Sequence, residues 1–196
     1  MRAWIYALLI SSLAGQAGWK VRLDRPGFSS GEPAFVSIPP GWQITTGPSA
    51  IAYEPGSSAR GNFRVESEML LFPGNQNEGY GLFLGGDSLD SNDLSYTAFQ
   101  LRRDGKFSIW FRKGATTRDI VAWTAHPAIT PHSGGVEPVK NILAVEARAG
   151  EVAFFVNGRT VHIGRRTALV VEGNFGFRVH DDMNVHATNL SLKSLP

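Results

Sequence analysis

The chain has 196 residues, a formal net charge of +2 and no cysteine. Without cysteine the chain has no disulfide framework, no cysteine-built zinc or iron–sulfur site and no thiol nucleophile. Its residues are 42% hydrophobic and only 18% charged, a composition that argues against disorder and against a coiled coil. The length suits one domain with a sizeable core, and the lack of a Lys/Arg run or an aromatic–basic RNA motif predicts no nucleic-acid partner.

The first seventeen residues have the composition of an export signal. Arg2 provides a short basic start, Ala3–Ala14 is a mostly apolar run, and Gly15-Gln16-Ala17 places small residues at both ends of a cleavage tripeptide. A buried N-terminal helix is the alternative, but no amphipathic period or capping residue supports it. The apolar run is too short to span a bilayer, and no later stretch approaches the length that spanning needs. We predict a signal peptide at 1–17, an exported protein that is periplasmic or secreted, and no membrane span.

After a lead-in at 18–40, which has room for one edge strand, residues 41–196 are predicted to form one β domain. Short runs rich in Val, Ile, Phe, Tyr and Thr alternate with Gly, Pro, Asn and Asp. Strands without crossover helices predict an antiparallel sandwich or barrel. The predicted strands are Gln43–Thr46, Ala50–Glu54, Asn62–Phe72, Gly79–Gly86, Ser95–Arg102, Lys106–Arg112, Ile120–Trp123, Asn141–Arg148, Glu151–Val156, Arg159–Gly164, Asn174–His180 and Asn184–Lys193.

Two groups of acidic residues come early in this domain. Glu66 and Glu68 lie two apart on a strand and so share its outer face, where paired carboxylates serve glycosidic acid–base chemistry if they meet in a cleft. The alternative is an ordinary solvated strand face. Residues 87–93 form an oxygen-rich loop that lacks the glycine and terminal glutamate of a helix–loop–helix calcium site. We predict no cofactor and leave Ca²⁺ at this loop as the alternative.

The Ser95–Arg112 hairpin has a register fixed by its apolar residues. A three-residue loop ending in Gly105 places Leu101 opposite Phe107, whereas a two-residue loop would pair core with solvent positions. The other face then carries aromatic and hydrogen-bonding side chains, a mixture that sugars need because their C–H faces stack on rings while their hydroxyls need polar partners. Its predicted ligand-binding residues are Tyr96, Gln100, Arg102, Trp110 and Arg112. The alternative is an ordinary solvated or inter-sheet face with one scattered Trp.

The Asn141–Gly164 segment predicts a three-stranded meander. A two-residue loop at Ala149-Gly150 places Val145 opposite Phe154, and Asn157-Gly158 is the favoured dipeptide for a type I′ turn. That second turn would place Phe154 opposite Val161 and Val152 opposite Ile163, so both turns would keep the same residues inside.

The last predicted pair, around Phe175–Val179 and Val185–Ala187, places Val179 opposite Val185. Arg178, His180 and His186 then share an outer face, and we predict that they also contact a ligand. His180, Asp181, Asp182 and His186 surround one turn and have ligand types that metals accept, but Asp and Asn are equally what a turn requires. We predict no metal there.

Five of these segments resemble the concanavalin A-like lectin/glucanase superfamily, within it laminin-G-like and 3-keto-disaccharide-hydrolase-type (DUF1080-like) domains. The most distinctive mark is an N-x-L-x-V…V-N-G pattern at Asn141–Val145 and Val156–Gly158. The resemblance implies an all-β, two-sheet antiparallel jelly roll whose concave sheet commonly binds glycans. The glucanase strand motif E-x-D-x-(x)-E is missing, since Glu66-Ser67-Glu68 lacks its central Asp, so no catalytic residue carries over. The resembling segments are 61–74, 78–89, 96–112, 141–161 and 175–192.

We therefore expect an exported jelly-roll domain that binds carbohydrate or another extracytoplasmic polymer. One alternative is a glycosidic-bond hydrolase with His180, Glu66 or Glu68 in the acid–base roles. The other is a laminin-G-type protein-interaction module, which predicts a large exposed apolar patch. The sequence does not specify the oligomeric state.

Overall fold

The computed structural model describes residues 18–25 and 33–196, and the predicted signal peptide lies outside them. In the described part, fourteen strands form two antiparallel seven-stranded sheets packed as a sandwich. In spatial order, sheet 1 consists of β1 (Lys20–Leu23), β4 (Ala50–Ala59), β13 (Gly173–Val179), β6 (Tyr80–Asp87), β7 (Ser95–Arg102), β8 (Lys106–Lys113) and β9 (Thr116–Ala125). Sheet 2 consists of β12 (Arg159–Arg165), β11 (Glu151–Val156), β10 (Val139–Ala147), β5 (Phe63–Leu71), β14 (Asn184–Ser194), β3 (Gly41–Thr45) and β2 (Ala34–Ile38).

This architecture confirms the predicted antiparallel jelly-roll sandwich. Each of the twelve predicted strands corresponds to one of β3–β14, with ends that shift by a few residues. The lead-in contributes β1 and β2, which are outer strands of sheet 1 and sheet 2. A 3-10 turn at Arg166–Ala168 interrupts the strands, and the described residues contain no helix long and apolar enough to cross a membrane.

The core lies between the two sheets and follows the alternation of the strands. In β5 every second residue, from Phe63 to Leu71, is buried, and those between are partly exposed. Phe99 of sheet 1 meets Phe154 of sheet 2 edge to face, with ring centroids 5.2 Å apart. Each such buried side chain contributes about 1.5–3 kcal/mol through removal of apolar surface from water, so hydrophobic packing can hold the two sheets together without disulfides.

The register of the β7–β8 hairpin is confirmed. Leu101 lies opposite Phe107, Ala98 opposite Trp110 and Tyr96 opposite Arg112. Gly105 has a φ of 79°, the left-handed conformation that the three-residue loop requires. The hairpin therefore presents the predicted polar and aromatic residues on the outer face of sheet 1.

The meander is confirmed in its first half and wrong in its second. Val145 lies opposite Phe154, as predicted. Between β11 and β12, however, Phe154 lies opposite His162 and Val152 opposite Gly164, because the register shifts by one residue at Phe154/Phe155. Val161 is the extra residue of this β-bulge, and Ile163 consequently points outward with 55% of its surface exposed.

The predicted β13–β14 hairpin is also wrong, because the two strands belong to different sheets. Val179 pairs with Ala50 in sheet 1, whereas Val185 pairs with Ile44 in sheet 2. The connection from β13 to β14 crosses between the sheets beside the β3–β4 connection, and the Thr46 N–H donates to the Met183 carbonyl at 2.9 Å. Both valines do face the core, so alternation identified their faces but not their partners.

Two asparagines of the family-like pattern have structural roles. Asn157, at φ 50°, forms the turn after β11, and its Nδ2 donates to Asn141 Oδ1 at 2.9 Å and to Ala128 O at 2.8 Å. Asn141 Oδ1 also accepts from the Thr130 N–H at 2.9 Å. The pattern therefore anchors the loop after β9.

Candidate functional site

The outer face of sheet 1 carries a second apolar cluster at one end. Leu89 and Leu94, from the loop between β6 and β7, are buried against outward-facing side chains of the sheet. Arg22 of β1 clamps this loop by donating to the Leu89 and Ser91 carbonyls at 2.5 and 2.6 Å. The full cluster is Ile51, Tyr53, Phe83, Leu89, Leu94, Tyr96, Ala98 and Trp110.

Tyr96 and Gln100 belong to the buried part of this face, which corrects the expectation that they contact a ligand. Neither has exposed surface. The Tyr96 ring lies 5.4 Å from that of Phe83 and 5.6 Å from that of Trp110, and Gln100 Oε1 accepts from Trp110 Nε1 at 2.8 Å. In this arrangement both residues position the Trp110 indole.

Beside the cluster, the same face has an open groove with a volume of about 250 Å³. Side chains from β8, β9, β13 and the end of β1 converge on it. Trp110 retains 8% exposure there, and Trp123 is partly exposed. Of the predicted site residues, Trp110, Arg112, Arg178 and His180 line the groove. The full lining is Asp24, Trp110, Arg112, Thr117, Asp119, Trp123, Arg178 and His180.

Asp24 organises the charges of the groove. Its Oδ1 lies 2.6 Å from Arg112 Nη1, and its Oδ2 lies 2.6 Å from Arg178 Nη2. Burial raises the pKa of the Asp24 carboxyl, but the two guanidiniums more than offset this and hold the pKa below 3.8. Arg178 is only 3% exposed, and its Nε and Nη1 find no hydrogen-bond partner among the described residues.

His180 lies next to this network and is held neutral. Burial and, to a smaller extent, the charge of Arg178 together lower its pKa from 6.5 to about 4. Its ring meets Trp110 edge to face with centroids 6.0 Å apart, and its Nδ1 lies 3.5 Å from Glu78 Oε2. His180 Nε2 is buried and has no partner in the part of the chain that the structure describes.

His180 should make the stability of the fold depend on pH. Its pKa is lower folded than unfolded, so the unfolded state binds the extra proton between pH 6.5 and about 4. The stabilisation is therefore present above pH 6.5 and is lost as the pH falls towards 4, by about 3 kcal/mol for this residue. Urea unfolding of the wild type and His180→Gln across this range measures the difference. A parallel pH dependence in the two proteins would contradict the assignment.

Trp123 is a groove residue that the sequence analysis missed. Its ring packs under Arg102, whose guanidinium carbon lies 4.9 Å from the ring centroid and whose Nη2 lies 2.6 Å from Asp104 Oδ2. Alternation from the inward-facing Val121 would point Trp123 into the core. Instead the β8–β9 register shifts between Phe107 and Ile109, and this bulge turns Trp123 outward.

Asp24 and Asp119 were missed for other reasons. Asp24 directly follows an edge strand in the lead-in and reaches the groove only because β1 pairs with β4. Asp119 lies in the polar first half of β9, where no apolar alternation indicates a strand. No local signal marked either residue as part of a site.

His186 and the two glutamates lie on the other sheet, away from the groove. His186 pairs with Gln43 and Leu70 in sheet 2, so it does not share a face with Arg178 and His180 as predicted. Glu66 pairs with Arg64, and Glu68 Oε2 lies 3.2 Å from Lys140 Nζ. Each carboxylate thus has its own basic partner on the outer face.

The oxygen-rich loop is tied to the protein by its own side chains. Asp90 accepts from Lys20 Nζ at 2.6 Å and from the Tyr53 hydroxyl at 2.7 Å. Hydrogen bonds from Lys20 and Tyr53 keep the pKa of Asp90 below 3.8. Within the described ranges, no three His, Cys, Asp or Glu side chains are grouped closely enough to hold a metal ion.

Comparison with known proteins identifies the fold. No protein-family model and no curated protein sequence matches the chain. Among solved structures, a carbohydrate-binding module, CBM66, from Bacillus subtilis superposes with a TM-score of 0.66 at 18% identity, covering 90% of this chain and 96% of that one. A Bacillus subtilis protein of unknown function with a galectin-like fold also gives 0.66, at 11% identity and 91% and 90% coverage.

A third similar structure is the carbohydrate recognition domain of Emp46p, with a TM-score of 0.59 at 12% identity, covering 92% of this chain and 90% of that domain. At these identities the likeness concerns the fold. The chain shares the two-sheet jelly-roll sandwich of these proteins.

Proposed function

We propose that this chain is an exported carbohydrate-binding domain and that the groove beside Trp110 is its sugar site. One observation carries the proposal. The groove combines a partly exposed indole, that of Trp123, with charged groups that the Asp24 ion pairs hold in place. Sugars need both, a flat apolar surface and rigid hydrogen-bonding groups. Two of the similar folds described above are named for carbohydrate binding, which supports the proposal.

Within the groove the residues have different roles. Trp123 stacks on the C–H face of a sugar, and Trp110 forms the apolar base between the Asp24 network and β9. Thr117 and Asp119 line the side formed by β9, where they offer hydroxyl and carboxylate oxygens to sugar hydroxyls. A volume of about 250 Å³ lies just below the 300–1,000 Å³ typical of sites for drug-sized ligands, so the groove suits one sugar unit of a longer chain.

The groove favours binding over hydrolysis. A glycosidase needs a carboxylic acid with a raised pKa to protonate the leaving oxygen. The pKa of Asp24 is instead lowered, because two arginines stabilise its ionised form. Glu66 and Glu68, the other carboxylates considered for this role, lie on sheet 2 in separate ion pairs. These contacts therefore support a binding domain over a glycosidase.

Substitution of Trp123 should test the site. We expect that a glycan array identifies a ligand and that Trp123→Ala weakens its binding by at least about 10-fold in calorimetric titration, equivalent to about 1.4 kcal/mol of stacking. Phe155→Ala is the matched control, because Phe155 also packs under an arginine, Arg64 at 5.2 Å, but on sheet 2. An array without ligands, or equal binding by both variants, would overturn the proposal.

A further inference from the structure

The buried charged side chains beside the Trp110 base of the groove carry more positive than negative charge. Arg112 and Arg178 share a single carboxylate, that of Asp24, and all three side chains are at most one-fifth exposed. The other acids nearby are Asp119, which is exposed, and Glu78, which is half-exposed beside His180. Asp181, the residue after His180, is 36% exposed and is already paired with Arg25. Water screens charges in such positions far more than charges in the protein interior. His180 is neutral and so adds no further positive charge.

Most of the buried polar groups that lack a hydrogen-bond partner at the same place are donors. Both oxygens of Asp24 are occupied by arginine nitrogens. Arg178 Nε and Nη1 are shielded from water and lack a partner within the described residues. An unpaired donor on a buried charged group is costly, and native proteins supply a partner for almost all such groups. Two donors of Arg178, Nε and Nη1, therefore lack an acceptor, and the local charge favours an anionic one.

We infer that the sugar bound in this groove is acidic, a hexuronic acid unit whose carboxylate pairs with Arg178. This inference rests on the proposed function and narrows it. A neutral sugar hydroxyl would accept from one of the two donors but would leave the excess positive charge in place. A carboxylate accepts from both donors and also neutralises that charge. The hydroxyls of the same sugar unit then face Thr117 and Asp119 on β9.

Binding must also move a neighbouring side chain. The Arg178 guanidinium carbon lies 5.6 Å from the centroid of the Trp110 ring, and the same indole meets His180 edge to face. Because Trp110 and His180 shield Arg178, a carboxylate can reach the unpaired Arg178 nitrogens only when one of these two side chains shifts. We expect the indole of Trp110 to shift, so that its fluorescence reports ligand entry.

The test compares acidic and neutral sugars of the same structure. Tetrasaccharides of galacturonic, glucuronic and mannuronic acid are each titrated beside the counterpart whose carboxyls are reduced to alcohols, with fluorescence and calorimetric detection. We expect one acidic tetrasaccharide to bind at least about 30-fold more tightly than its reduced counterpart, as for a charge pair in a shielded site. Raising the salt concentration should weaken that complex only. Arg178→Gln should abolish the preference, whereas Arg64→Gln, on sheet 2, should preserve it.

The possible outcomes separate this inference from the proposed function. If a reduced tetrasaccharide or a neutral glycan binds as tightly as the acid, with Trp123→Ala still weakening it, the inference fails and carbohydrate binding stands. If a sulfated galactose tetrasaccharide binds as tightly as the uronic acid, recognition of a carboxylate is overturned. If no sugar binds, both fail. Should Arg178→Gln not fold, the ratio of acidic to neutral affinity and its salt dependence in the wild type still decide the question.

Discussion

Replacing Asp24 with asparagine is expected to lower the free energy of unfolding by about 3–5 kcal/mol, as for other buried ion pairs that lose one partner. Arg178 is 3% exposed, and Asp24 is its charged partner at 2.6 Å. The variant leaves that guanidinium buried without a counter-charge and also removes the partner of Arg112. Urea unfolding at pH 7 measures the loss.

Two further variants separate this effect from a general sensitivity of the groove. Asp119→Asn changes the same chemical group on exposed β9 and should cost about 0.5 kcal/mol or less. Adding Arg178→Met to Asp24→Asn should restore part of the lost stability, because an apolar side chain of similar length needs no counter-charge. If Asp24→Asn costs no more than Asp119→Asn, the network does not hold the groove together.

The residue pattern alone predicts the strand register in those parts of this fold where local turn geometry determines it. In the β7–β8 hairpin, one turn residue, Gly105, and the requirement that core meets core fix the register completely. Bulges are the first exception. At the extra residue Val161 and at the register shift beside Trp123, the residues that follow turn to the opposite face of the sheet. Nothing in the sequence around these two bulges indicates the change.

The candidate site needed contacts that the sequence does not encode locally. The polar face of the hairpin was identified, and Trp110 and Arg112 do line the groove. Tyr96, however, is covered by the loop that carries Leu89, and that contact depends on the position of the loop in three dimensions. Asp24 reaches Arg178 across 154 positions of sequence. Sequence alternation assigns a side chain to a face but does not identify what covers that face.

Two neighbouring phenylalanines offer a direct test of the sandwich itself. Phe154 has no exposed surface and packs against Phe99 of the opposite sheet. Phe155, the next residue, is only partly buried and lies on the outer face under Arg64. We expect Phe154→Ala to lower the free energy of unfolding by about 3–5 kcal/mol, because it removes buried surface and leaves a cavity between the sheets.

Phe155→Ala makes the same chemical change and should cost about 1 kcal/mol or less, since the outer face loses only partial packing. Urea unfolding of both variants, with an unchanged dependence on urea concentration, measures the difference. Equal losses would mean that the interface between the sheets is not what stabilises the domain. A large difference would show how a chain without cysteine is stabilised. The hydrophobic layer between its two sheets would then supply the stability that disulfides provide in many small secreted domains.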